Sequence, residues 1–343
     1  CALPILLDLC QVFAGPYAAR LLSDLGADVI KVNNPNPGDE MDAKVASHQN
    51  TNSGKATTYF NLKDEEDRKV VEELIRGADV LHCNFTPKAR ESLHLTDEEI
   101  RKINPNIILS FLNVHTGGGS MSNYRGHEEL AEAAVGMETR FENNLIGMSM
   151  PYVICDSCTG VAGAFGVLLA LYMREKYGIV SEVQASLSRS GTLMQLPYMV
   201  TYEGKVWDEP SGQDAKGYSR FDRIFTTKDG WIYMVDKDQI TADKSEVQLE
   251  EEFAQKPTTE LLKELREAGI DCIECRTFHY DVVEDPYVKK AGLSFESEHK
   301  GVGIVRKISI GNHLSDTPAR LPFPCNPEGT DTEDIRKYKW DYP

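Results

Sequence analysis

The chain has 343 residues, with 37 Lys and Arg against 54 Asp and Glu, a formal charge of −17, and 41% hydrophobic residues. That balance excludes a surface that attracts nucleic acid or anionic lipid by default, and the length, roughly two domains' worth, supports a core without covalent staples. Eight cysteines are too sparse for a disulfide scaffold, and the sequence shows neither a charged n-region nor a small-residue cleavage site, so a reducing cytoplasm is the expected compartment.

Residues 4–9, PILLDL, read as a strand. Ala14-Gly15-Pro16 then opens a helix in which Tyr17, Leu21 and Leu25 share a face and Gly26 supplies the stop. With a strand over 27–32 this is a βαβ unit. A second unit has a strand at 59–62, a helix over 65–76 carrying Val70, Val71, Leu74 and Ile75 on one side, and a strand at 78–83. A short helix at 98–103 and a strand at 107–112 follow. Strands separated by helices predict a parallel sheet covered on both faces, an open α/β domain. A helix is expected over 128–141 and a long apolar one over 157–177, with a return to the sheet at 180–185. The longest uninterrupted apolar run, Val161 to Met173, stops at Arg174 and Glu175, short of the roughly 20 residues that span a bilayer. Residues 203–217 read as a linker. A strand pair at 223–227 and 231–235, joined at Asp229-Gly230, and a helix from Thr258 suggest a smaller α/β domain. The proline-rich tail from 301 reads as an irregular crossing segment. Because strand-like sequence begins directly after Cys1, the chain is read as a truncation or as one part of a longer polypeptide.

Two CxxC pairs, Cys155 with Cys158 and Cys272 with Cys275, are too far apart in sequence for a shared zinc knuckle. They read as small apolar residues, and no metal is expected. Asp156, between a strand-like run and a helix with Gly160, Gly163 and Gly166, has two readings. One is a helix N-cap. The other is a carboxylate nucleophile, with neighbouring N–H groups available for an oxyanion. Neither GxGxxG nor GxxxxGK[ST] occurs, and Thr116-Gly-Gly-Gly-Ser120 reads as a loop. His127 and Glu128 fall at the start of a helix, where His127 on its own reads as structural.

Several blocks resemble class III CoA-transferases, the carnitine and formyl-CoA transferase family. They are LDLCQVFAGPYAARLLSDLGADVIKV, FNLK at 60–63, ADVLHCNFTP at 78–87, INPNIILSF at 103–111, CDSCTG, TTKDGWIYM, AGIDCIECRT and EDPYV. The resemblance covers nearly the whole chain, and it shifts the reading of Asp156 toward the nucleophile. It implies that Asp156 attacks an acyl-CoA thioester to give a mixed anhydride, which CoA thiolate converts to an aspartyl-CoA thioester before an incoming carboxylate repeats the exchange in reverse. Coenzyme A would be a substrate, with no permanently bound cofactor. The implied CoA contacts are Val12 and Ala14 beside the adenine, Lys63 near the phosphates, Asn84 and Phe85 along the ribose and pantetheine, and Arg125 near the thioester.

The chain departs from the family pattern at Phe13, Asn34 and Ser92, so Lys88 and Arg90 become candidates for phosphate charge. The family's glycine loop has no clear counterpart in 203–217. His127, in Gly126-His127-Glu128, resembles the catalytic histidine of α-methylacyl-CoA racemases, which would pair it with Asp156 as acid and base. A further branch, the dimethylsulfoniopropionate CoA-transferase/lyases, would add an elimination, with Tyr198, Tyr202 and Trp207 lining an onium pocket. A non-catalytic CoA-ester-binding subunit is the remaining alternative. The implied architecture is a large Rossmann-like domain (1–202, completed by 309–343), a linker (203–217) and a small domain (218–308), in a homodimer of interlocked rings.

Overall fold

The computed structural model describes residues 4–35, 46–115, 118–138, 153–212, 215–276, 280–300, 302–320 and 324–343. The chain divides into two compact units, one of Cys1–Met137, Met150–Val200 and Lys290–Pro343, the other of Glu138–Ser149 and Thr201–Lys289.

The first unit is built on β1 (Ile5–Asp8), α1 (Ala14–Asp24), β2 (Asp28–Asn33), α2 (Ala46–Thr51), β3 (Ala56–Tyr59), α3 (Glu65–Gly77) and β4 (Val80–Cys83). It continues through α4 (Pro87–Ser92), α5 (Asp97–Ile103), β5 (Ile108–Asn113), α6 (Glu128–Val135), α7 (Ile154–Tyr177), β6 (Glu182–Ser186) and α8 (Leu187–Met194). Six parallel strands run in the order β3-β2-β1-β4-β5-β6. This doubly wound order reverses between β1 and β4, and ligands in such sheets bind where the strands' carboxyl ends open at that reversal.

Strand alternation sends Leu7, Leu81 and Leu109 to one face, where they pack against Val71, Leu74, Ile75 and Ile100 of α3 and α5. The other face lies under α1 and α7, and their close approach requires glycine. A Cβ at Gly160 would stand 2.7 Å from the Tyr17 ring and 3.0 Å from the Ala14 carbonyl, and one at Gly163 would stand 3.0 Å from Leu112. By length and composition α7 could cross a bilayer; here Cys155, Gly163, Ala164, Val167 and Ala170 are buried.

The chain returns to this unit with β11 (Ser294–His299), β12 (Gly303–Ile308) and α13 (Thr332–Tyr338). The sequence-based assignment of 218–308 to the small domain differs here, and the reason is polar. Lys307 Nζ donates to Ser53 Oγ at 2.6 Å, Arg20 Nη2 to the Ile308 carbonyl at 2.9 Å, and the Cys325 N–H to His299 Nδ1 at 3.1 Å. The tail is not irregular throughout: Ile335 is fully buried, and Trp340 Nε1 donates to the Leu74 carbonyl at 2.9 Å.

The second unit holds β7 (Gly217–Ser219), β8 (Asp222–Thr226), β9 (Trp231–Val235), α9 (Glu246–Ala254), α10 (Thr258–Glu267), β10 (Asp271–Glu274), α11 (Tyr280–Glu284) and α12 (Pro286–Lys290). Its antiparallel sheet runs β10-β9-β8-β7. Phe225 and Phe253 meet edge to face, centroids 5.1 Å apart, in its core.

Three expected elements shift. The strand placed at 59–62 is Ala56–Tyr59, because Asn61 already belongs to the turn that leads into the Asp64 cap of α3. The helix expected over 128–141 stops at Val135, where Gly136 adopts a left-handed conformation (φ +80°); residues 139–141 lie outside the described residues. The helix expected from 157 begins at Ile154, which places Asp156 inside its first turn.

Candidate active site

Asp156 is not the N-cap of its own helix. The cap position is Val153, which offers no side-chain acceptor, and the first-turn N–H groups of a helix need partners. Glu128, at the start of α6 and 4% exposed, supplies them: its carboxylate accepts the Cys155 N–H at 2.5 Å and the Asp156 N–H at 2.7 Å. The Ser157 N–H bonds the Val153 carbonyl at 2.9 Å. The N–H groups that sequence reasoning left free for an oxyanion are therefore engaged, and a carboxylate offsets the positive end of the helix dipole.

The Asp156 side chain instead faces the N-terminus of α1, whose Ala14 N–H favours its ionised form. Asp156 is 6% exposed. Burial, then the neighbouring Glu128 carboxylate, push its carboxyl up to about 7, against the Ala14 N–H and His127, which favour the ion. His127 projects into solvent, with Nδ1 2.8 Å from Glu129 Oε2.

Cys155 is buried and its Sγ lies 3.9 Å from Met137 Sδ; burial, with Glu128 and Glu132 close by, pushes its thiol well up. Ligand atoms of Glu128, Glu132 and Cys155 lie within 4.8 Å of one another. Both Glu128 oxygens hold backbone N–H groups, so within this group Glu128 serves as the cap of the α7 start. Thr159 Oγ1 donates to Ser190 Oγ at 2.7 Å, fixing α7 to α8.

The segment between β1 and α1 forms the rim of the crevice at the β1/β4 reversal. The Gln11 N–H donates to Asn84 Oδ1 at 3.0 Å, and Asn84 Nδ2 donates back to the Gln11 carbonyl at 2.9 Å. Val12 crests this segment, exposed and at φ +68°, unusual for a β-branched residue. Ala14 is buried, and Phe85 packs on the core below. The sequence candidates Val12, Ala14, Asn84 and Asp156 thus come from the loop after β1, the start of α1, the end of β4 and the start of α7.

Lys63, Lys88 and Arg125 are exposed, with no carboxylate in ion-pair range among the described residues. Arg90 differs: its Nη1 is 2.5 Å from Asp97 Oδ1 and its guanidinium stacks 3.9 Å above the Phe111 ring, so its charge is already engaged. Tyr202 and Trp207 are exposed, and Lys205 Nζ already covers the Trp207 face at 5.0 Å. A cavity of about 760 Å³ lies at the opposite, amino-terminal ends of β1 to β3, lined by Asp24, Asp28, Lys55 and Arg320, and includes no candidate site residue.

Sequence reasoning missed a buried polar row. Parallel register sets Lys31, Asp8, His82 and Ser110 side by side on four adjacent strands, each no more than 3% exposed. Asp8 Oδ2 accepts from Lys55 Nζ at 2.8 Å, and Lys55 also donates to the Pro16 carbonyl (2.8 Å) and Asn52 Oδ1 (3.0 Å). Burial alone raises the Asp8 carboxyl, yet Lys55, Lys31 and His82 hold it well below the usual carboxylate range.

The sequence matches the family described as CoA-transferase family III over residues 5–244 and 234–332. It is 29% identical to the CoA-transferase/lyase DddD of Marinomonas sp. (strain MWYL1) over 233 residues, 67% of this chain and 28% of that protein. It is 32% identical to the acetyl-CoA:oxalate CoA-transferase of Acetobacter aceti over 203 residues, 57% of this chain and 52% of that protein. The chain thus spans about half or less of these relatives' lengths. Among solved structures, a CAIB/BAIF family protein from Brucella suis superposes with a TM-score of 0.82 at 21% identity, covering 97% of each chain. Rv3272 from M. tuberculosis gives 0.78 at 24% identity, covering 95% of this chain and 96% of that one.

Proposed function

The chain belongs to CoA-transferase family III, and from that membership we propose that it moves coenzyme A from an acyl-CoA donor to a small carboxylic acid through an aspartyl-CoA thioester on Asp156. The observation that carries this reading is the setting of Asp156: a buried carboxylate fixed through its own N–H by Glu128 and met by the Ala14 N–H. A carboxylate Oδ attacks the thioester carbonyl, the C–S bond breaks, and CoA thiolate leaves. The thiolate then attacks the aspartyl carbon of the anhydride and expels the donor's carboxylate. The acceptor carboxylate attacks the aspartyl carbon of the aspartyl-CoA thioester and expels CoA thiolate. The thiolate then attacks the acceptor's acyl carbon in the second mixed anhydride, releasing the new acyl-CoA and the free Asp156 carboxylate. With the N–H groups of Cys155 and Asp156 engaged, the Ala14 N–H is the donor offered to the reacting carboxyl.

Val12 at the β1/β4 reversal is proposed to meet the nucleotide end of CoA and Asn84 and Phe85 its ribose and pantetheine, with Lys63 and Lys88 as cations available to the phosphates and Arg125 near the thioester. Ala14, whose N–H faces Asp156, belongs on this reading to the thioester end and not beside the adenine. Arg90 is a weaker candidate because Asp97 and Phe111 engage it. The exposed apolar face of α7, with Val161, Phe165, Leu169 and Tyr172 each about half accessible, supports a homodimer. Mass spectrometry of protein incubated with acetyl-CoA and a panel of small acids tests the reading. An adduct on Asp156, trapped as a hydroxamate by hydroxylamine, is expected, and transfer without any such adduct would refute it.

Two observations favour finer readings. The likeness to a relative named CoA-transferase/lyase supports including dimethylsulfoniopropionate among the acids, with release of dimethyl sulfide as readout. A carboxyl near pKa 7 within the electrostatic reach of His127 also suits proton exchange α to a thioester. Deuterium uptake from D2O by a 2-methylacyl-CoA, without transfer, would select the racemase reading.

A further inference from the structure

The Cys10–Pro16 segment is fastened from beneath by side chains of the buried polar row. The Cys10 N–H donates to Asp8 Oδ1 at 2.9 Å, and its carbonyl accepts from Lys31 Nζ. The Pro16 carbonyl accepts from Lys55. His82 Nε2 lies 3.1 Å from the Gly15 carbonyl and Nδ1 lies 2.9 Å from Ser110 Oγ. A carbonyl only accepts, so the proton is on Nε2 and Ser110 donates to Nδ1. Gly15 leaves no slack: a Cβ there would stand 2.4 Å from Cys10 Cβ and Sγ. The next residue back along the chain, Ala14, carries the N–H that reaches Asp156.

We propose that His82, with the Asp8–Lys55 pair, is a positioning residue for Asp156: it holds the Gly15 carbonyl so that the Ala14 N–H stays aimed at the carboxylate. The consequence for Asp156 rests on the reading that this carboxylate reacts. His82 can serve because burial keeps its ring neutral, with its pKa down to about 4 despite Asp8, so it donates one fixed hydrogen bond across the working pH range. The groups facing it are Asp8, Lys31 and Lys55. Those facing Asp156 are Glu128, His127 and Glu129 from α6 and the Ala14 N–H from α1.

The test follows the ionisation of Asp156, not turnover alone. Carbodiimide coupling of Asp156 to an amine is measured against pH by peptide mass spectrometry in the whole chain, beside the pH profile of CoA transfer. His82→Leu removes the donor, and the Asp156 midpoint is expected to rise by about one pH unit. Transfer at pH 7 falls severalfold and recovers at higher pH. His82→Gln, which keeps an N–H donor, restores most of the shift. A lower melting temperature with an unmoved midpoint would overturn the proposal. If His82→Leu does not fold, Ser110→Ala, which frees the ring to turn, takes its place; a rise of about half a unit supports the proposal and no rise overturns it. A shifted midpoint in a protein that forms no aspartyl adduct leaves the positioning role standing and removes the transfer reading.

Discussion

The Glu128 carboxylate accepts the backbone N–H of Asp156 at 2.7 Å, so one acid caps the helix that carries another. Its second oxygen takes the Cys155 N–H, which makes Glu128 both the fastening of the α7 start and the nearest negative charge to Asp156. Glu128→Gln keeps the shape but loses the charge and one acceptor. The melting temperature is expected to fall by an amount matching about 1–2 kcal/mol, while the midpoint of the transfer pH profile moves to lower pH. Calorimetry and pH-rate measurements check the two arms separately.

Asp156→Asn separates stability from chemistry. The folded carboxyl is raised above its unfolded value, so the native state binds its proton more tightly, and stability falls as pH rises from about 4 through about 7. The amide cannot ionise. The variant is therefore expected to be more stable than the parent at pH 8 by about 4 kcal/mol, equal to it near pH 4, and without hydroxamate formation at any pH. Urea unfolding at the two pH values reads the difference.

Lys55→Met strands Asp8 as a buried charge and is expected to cost about 3–5 kcal/mol. The double variant with Asp8→Leu removes both ions and should recover much of that loss. Asp8 is held below its unfolded range, so the pair's stabilisation is present above about pH 4 and lost in strong acid. Chemical denaturation of the two single variants and the double variant measures the coupling.

Phe165→Glu on the exposed face of α7 tests the assembly. The parent chain should elute and scatter as a dimer at micromolar concentration. The variant should shift toward the monomer while its far-ultraviolet circular dichroism stays unchanged.

Alternation of apolar strands with amphipathic helices made the sheet of the first unit legible, because Leu7, Leu81, Leu109 and the α3 face announce themselves by spacing. Short polar elements did not. The β11/β12 hairpin is held by Lys307 and Arg20, side chains that read as surface in a linear sequence. Asp156 stood out from its neighbours, but its cap came from Glu128, 28 positions earlier. The buried row was invisible for the same reason: Lys31, Asp8, His82 and Ser110 are a row only once parallel register is known. The signal that could have found them is a charged or polar residue inside four of the first five strands, Asp8 in β1, Lys31 in β2, His82 in β4 and Ser110 in β5.

That row bears on how the chain can change over generations. Each member satisfies a neighbour's hydrogen-bonding group where water cannot substitute, so a replacement tolerated at one position depends on what stands at the others. Drift there is expected to proceed in linked steps, Asp8 with Lys55 and His82 with Ser110. In a set of related sequences these positions should therefore covary as pairs, even though up to 47 residues separate them along the chain.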